Sequence, residues 1–139
     1  MNLEISLVWL HISGLVAWIG AIIAVGKILA AKTGDGKTRG EIALGIYRQL
    51  AVPAFLVAFL AGATRLFMDP KYYLKEHHWM HAKLPLALAV IAIHHVIGAR
   101  AKKMAHGTVQ DAGPTATLTI VLALCAVGAA FFAVSKLPN

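Results

Sequence analysis

The chain has 139 residues, of which 59% are hydrophobic and 14% charged, and it carries a formal net charge of +7. A soluble domain of this length carries about a quarter charged residues, so the composition excludes an ordinary water-soluble globule and points to a membrane protein of one domain (1–139). No nucleic-acid motif accompanies the positive charge, which argues against nucleic acid as a partner.

Taken in chain order, the first apolar stretch runs from about 3 to 31. It opens on Glu4 rather than a basic region and is too long for a signal peptide, while a membrane-spanning helix needs about 20 mostly apolar residues. Thr33-Gly34-Asp35-Gly36 marks a turn. A second span covers 42–67 and contains Pro53, whose missing N–H predicts a kink. Met68-Asp69-Pro70 ends it. The following loop, 71–79, holds the Tyr and Trp residues typical of a membrane surface. A third span covers 82–99, with Pro85 expected in its first turn, where an absent N–H does no harm. Gly113-Pro114 punctuates the start of the fourth span, 115–134. Lipid admits only helices or closed barrels, and no strand-like alternation is present. The expected architecture is therefore an all-α, four-helix transmembrane bundle.

Charge sets an expected orientation. Lys27, Lys32, Lys37, Arg39 and Arg48 flank the first loop, and Arg100, Lys102 and Lys103 the third. Arg65, Lys71, Lys75, Lys83 and Lys136 lie on the other side. Positive residues favour the cytoplasm, so loops one and three are expected inside, with both termini outside. Cys125 is the single cysteine; it excludes an intrachain disulfide and covalent c-type haem attachment, and reads as a small packing residue. HExxH, nucleotide-binding glycine motifs and paired carboxylates are all missing from the sequence.

Ionisable residues within a span are costly and read first as functional. His11 is the foremost, with Leu7, Gly14 and Trp18 on its helical face. Gly14, one turn away, predicts room for something flat and large beside the imidazole, and Trp18 alone reads as packing. Lys83 and His94 are eleven residues apart, close to three full turns, so they share one face about 16 Å apart. That face is expected inside the bundle, leaving His95 toward lipid or a neighbouring copy in a homo-oligomer. His11 and His94 are expected to differ in depth by more than about 10 Å, too far to bind one metal from opposite sides. A long planar ligand spans both: an imidazole for iron, Arg and Lys for its propionates. Arg65 and Lys27 read equally as cations snorkelling to headgroups, whereas Arg48, five residues before Pro53, reads as functional. His77, His78 and His106 are expected in solvated loops.

Three blocks together resemble the HemJ-type protoporphyrinogen oxidases, a group related to CopD-like copper-resistance membrane proteins. They are LHISGLVAWIGA (10–21), IYRQLAVPAF (46–55) followed by Gly62, and WMHAKL (79–84) followed by IHH (93–95); GPTATLTIVLA (113–123) resembles the start of the family's last helix. The resemblance implies a haem b membrane enzyme that oxidises protoporphyrinogen IX to protoporphyrin IX in haem synthesis. It implies His11 as axial ligand and metal site, with Gly14 and Trp18 beside the cofactor. Arg48, Lys83 and His94 are implied as residues handling substrate or protons. A quinone or another respiratory acceptor would take the electrons in the bacterial inner membrane. One step departs from the family: Gly26 and Lys27 stand where it has Pro and Arg, and Lys32 where it has a His. A lysine lacks the planar fork of arginine, which keeps open a haem-carrying electron-transfer protein without oxidase activity. A CopD-like copper protein is the other alternative, although Met68, Met80 and Met104 are scattered and soft Cu(I) favours clustered sulfur ligands.

Overall fold

The computed structural model describes residues 2–137, which form five α-helices and no strand. Helix α1 spans Leu3–Ala30. Its first turn is closed by the Asn2 side chain, which accepts the Ile5 N–H at 2.9 Å, satisfying one of the amide donors that a helix start leaves orphaned. The chain then turns through Gly34, whose φ of 75° lies in the left-handed region that glycine enters at least cost. Asp35 caps α2 (Gly36–Ile46), accepting the Thr38 N–H at 2.9 Å and the Thr38 hydroxyl at 2.6 Å. Those bonds from Thr38 hold the Asp35 carboxyl below the usual carboxylate range.

Helix α2 passes without a break through a π-helical turn, Tyr47–Ala51, into α3 (Val52–Met68). Pro53 explains the turn. In a regular α-helix its ring would meet the carbonyl four residues back. Here the backbone widens just before it, and the Val52 N–H bonds the Tyr47 carbonyl five residues away. The irregularity expected at Pro53 thus takes the form of a π-turn, one of the few identifiable causes of a bend. A second π-helical turn, Tyr72–Glu76, lies in the loop before α4 (Trp79–Ala105), and α5 covers Thr115–Ser135.

Leu3–Ala30, the continuous segment Gly36–Met68, Trp79–Ala105 and Thr115–Ser135 are each long and apolar enough to cross a membrane; the chain is a multi-pass helical membrane protein. The second and third helices are longer than the expected 42–67 and 82–99. Their backbones stay helical through headgroup-level residues, Lys37 to Glu41 in one and Arg100 to Lys103 in the other, because the cap at Asp35 and a C-terminal bond from His106 N–H to the Lys102 carbonyl lie beyond the apolar stretch. Pro85 is consequently the seventh residue of α4, not a first-turn residue.

The buried core is concentrated at the basic end, where the α1–α2 turn and the α4–α5 loop lie. Ile22, Val25, Leu29, Ile97, Ala101, Met104 and Leu122 form it. Apolar side chains gain nothing by leaving lipid for a helix interface, so packing there relies on close approach of small residues. Gly26 lies directly against Thr119, Gly40 against Met104 and Ala105, and Gly98 against the Tyr47 ring, so none has space for a β-carbon. A staple closes this end: Arg100 Nε donates to the Asp111 carbonyl at 2.9 Å and Nη2 to its carboxylate at 2.6 Å, which also accepts the Gly113 N–H at 2.8 Å.

The opposite, terminal end is looser. Helix α2 packs on α4, but beyond the π-turn α3 packs on α1 and hardly touches α4. In that half α3 and α4 each pack chiefly on other helices, with Phe55 reaching across from α3 to His94 and His95.

Candidate functional site

His11 lies on the terminal half of α1, facing α3. Its Nδ1 is 2.7 Å from the Ala58 carbonyl. A carbonyl only accepts, so the neutral ring carries its proton on Nδ1 and keeps its lone pair on Nε2. Nε2 has no hydrogen-bond partner among the described residues. The ring lies over Gly62, where a β-carbon would stand 2.7 Å from Cε1 and Nδ1. Ala58 and Gly62 are one turn apart on α3, so one element supplies both the carbonyl and the space. Lys83 lies in the second turn of α4. Its ammonium sits 5.9 Å from the Trp79 ring centroid.

His94 is arranged in the opposite sense. It is 1% exposed, and its Nδ1 accepts the Trp18 indole N–H at 3.0 Å. Indole is a donor only, so the neutral imidazole holds its proton on Nε2. Tyr47 and Phe55 pack against it at centroid distances of 4.9 Å and 5.1 Å, both tilted by about 30°. His94 therefore presents no free lone pair. A proton-accepting role for His94 requires the bond from Trp18 to break first. His95 is exposed, with Nδ1 2.8 Å from the Ile91 carbonyl.

The other expected site residues separate. Trp18 is seven residues, about 10 Å, along α1 from His11, and it serves His94 rather than a ligand of His11. Gly14 does not leave room beside the imidazole: a β-carbon there would stand 2.7 Å from the Ala58 backbone nitrogen, so the space is already filled by α3. Arg48 projects from the π-turn, exposed and without a hydrogen bond or ion pair among the described residues. It lies near the level of His94, beside Tyr47, but not with Lys83, so the three expected catalytic residues do not form one cluster. Lys27 is exposed and lines a cleft of about 320 Å³ between α1 and α5, and Arg65 pairs loosely with Glu4 at 3.8 Å beside a second cleft of about 200 Å³. Neither cleft reaches His11 or His94. Position 26 admits no side chain, because Thr119 occupies the space it would need.

Sequence reasoning missed three contributors. Phe55 packs on His94 and the Ala58 carbonyl fixes His11. Trp79, the first residue of α4, is 6% exposed, and its indole N–H is buried without a partner. An unsatisfied buried donor costs about 1–3 kcal/mol. The WMHAKL block did single out Trp79, but only as part of a pattern.

Were a haem b bound, His11 is the residue that would hold its iron. His11 offers a lone pair while a carbonyl holds its other nitrogen, the arrangement that orients metal-bound imidazoles. Lys83 offers a cation to a propionate in the same half of the bundle. His94, with its proton on Nε2, does not offer a second axial bond. Among the described residues, three or more His, Cys, Asp or Glu side chains are nowhere grouped to hold a metal ion by themselves. Comparison with protein-family models, with curated proteins and with solved structures finds no match to this chain.

Proposed function

We propose that the chain is a haem b-binding membrane oxidoreductase that oxidises protoporphyrinogen IX to protoporphyrin IX, as the HemJ-type proteins it resembles do. The observation that carries this reading is the state of His11: a neutral imidazole whose Nδ1 is held by the Ala58 carbonyl and whose Nε2 lone pair is unclaimed. The sparse packing between α3 and α4 supports it, because a hydrophobic porphyrinogen dissolved in lipid would enter that half of the molecule between them. Bound haem supplies an electron route. Of the chain's own residues, Lys83 binds a substrate carboxylate, the Trp18–His94 pair holds the centre of the bundle in register, and Arg48 meets the ligand or a second copy from the outer face. Protons and electrons leave the substrate in equal number, the electrons passing to a quinone or another respiratory acceptor. The charge distribution supports an orientation with both termini outside, and the resemblance implies a bacterial inner membrane.

The test is the absorption spectrum of detergent-purified protein, oxidised and dithionite-reduced, for wild type and His11→Ala. Reduced b-type bands lost in the variant uphold the haem site. A folded, haem-supplemented wild type without a Soret band sinks it. An assay of protoporphyrin formation then separates oxidase from haem-carrying electron transfer, the reading that the Gly26-Lys27 departure keeps open. The copper alternative has less support, since Met80 and Met104 are buried at opposite ends of α4 and Cys125 lies in α5.

A further inference from the structure

We propose that the Trp79 indole N–H and the Lys83 ammonium together grip a carboxylate of the amphiphile that enters between α3 and α4; this rests on the tetrapyrrole reading above and assigns Trp79 a binding role. Two observations carry it. The Trp79 Nε1 is a buried donor with no acceptor, in a side chain only 6% exposed. Buried donors are paired in almost every native protein, so an orphan calls for a missing partner. Lys83, one turn further along α4, holds its ammonium beside the same indole and has no carboxylate partner among the described residues.

Two neighbouring donors, neither with a hydrogen-bonded acceptor or carboxylate among the described residues, point to an anionic oxygen group as the missing partner. The pair lies on the terminal half of the bundle with His11: Trp79 and Lys83 are in the first two turns of α4, and His11 is in the first half of α1. A ligand whose ring engaged His11 would thus carry its acid group toward Trp79. A planar carboxylate gives one oxygen to each donor. A lipid phosphate offers the same kind of anionic oxygen, and the experiment below separates the two. Tyr73, from the π-turn of the preceding loop, packs edge-on against Trp79 at 6.3 Å. Entry there displaces a loop side chain and leaves the bundle helices in place.

The experiment follows the indole resonances of ¹⁵N-tryptophan-labelled protein in detergent micelles. The chain has three tryptophans, Trp9, Trp18 and Trp79, and Trp79→Phe assigns the third. Metal-free protoporphyrin IX is added, then separately its dimethyl ester, then phosphatidylglycerol. The expected result is a downfield shift of the Trp79 N–H with the free acid alone. Loss of one such hydrogen bond in Trp79→Phe, or of the charge in Lys83→Met, weakens protoporphyrin IX binding by about tenfold, read from porphyrin fluorescence, and leaves ester binding unchanged. An equal shift with the ester, a shift with phosphatidylglycerol, or a silent Trp79 overturns the proposal. Should Trp79→Phe fail to fold, the wild-type titration decides, with the resonance assigned by exclusion through Trp9→Phe and Trp18→Phe. Metal-free porphyrin keeps this test apart from the haem reading. A Soret band with a silent Trp79 leaves the haem site standing and removes the clamp. A Trp79 response without any haem binding does the reverse.

Discussion

Gly62→Ala tests the central geometry. The new β-carbon would lie 2.7 Å from His11 Cε1 and Nδ1, whereas ordinary contact begins near 3.4 Å. The imidazole must therefore move by about 0.7 Å, and the 2.7 Å bond from Nδ1 to the Ala58 carbonyl stretches toward the limit of a hydrogen bond. Losing that bond costs about 1 kcal/mol, while alanine in a helix regains about 1 kcal/mol over glycine. Stability should change by less than about 1 kcal/mol. Haem affinity should fall by about 10- to 100-fold, the usual effect of losing the group that orients a metal-bound histidine. A Soret titration with a thermal melt on the same sample measures both. Side-chain ¹⁵N shifts of His11 give a second readout that needs no haem: the Nδ1–H tautomer dominates in wild type and loses its excess in the variant. Gly20→Ala is the control, since nothing lies within 4 Å of the position its β-carbon would take. Unchanged haem affinity together with an unchanged tautomer in Gly62→Ala would refute the reasoning.

Trp18→Phe leaves His94 Nδ1 buried without a donor and should destabilise the protein by about 1–3 kcal/mol; in a double-mutant cycle with His94→Leu the combined loss should be smaller than the sum of the single losses, as read from detergent unfolding. Gly98→Ala drives a β-carbon into the Tyr47 ring and should cost about 2–3 kcal/mol, partly recovered by Tyr47→Ala in the same chain. The Gly113 N–H, then Arg100, hold the Asp111 carboxyl below its usual value of 3.8. A depressed folded-state pKa gives stability that is present above the unfolded value and lost as pH falls through the folded one. The melting temperature should therefore drop on acidification below about pH 4, less steeply in Asp111→Asn. In a Cys125→Ser background, an impermeant maleimide applied outside intact cells should label Lys75→Cys and spare Thr33→Cys; the reverse labelling would invert the proposed orientation.

Much of the fold was legible because its causes are local. Runs of apolar residues, the Thr33–Gly36 turn and Gly113-Pro114 each act within a few residues, and the structure places the four spans between them. The eleven-residue spacing that puts Lys83 and His94 on one face is likewise a property of a single helix. The π-turn was not legible. Pro53 announces a disturbed hydrogen bond, but it does not say whether the backbone kinks or widens. The site was harder still. The tautomer of His94 is decided by an indole 76 residues away and that of His11 by a carbonyl 47 residues away, so identical side chains in similar apolar surroundings take opposite forms. Gly14 misled for the same reason: its missing side chain is visible in the sequence, but the Ala58 backbone that fills the space is not.

The sparse packing between α3 and α4 has a consequence for how binding is measured. A ligand that enters sideways is drawn from the hydrophobic phase, and the concentration that governs occupancy is its concentration there. Doubling the detergent or lipid at fixed ligand dilutes that phase and raises the apparent dissociation constant, though no contact in the protein has changed. Affinities for this molecule are comparable between laboratories, and between variants, only as mole fractions in the amphiphile.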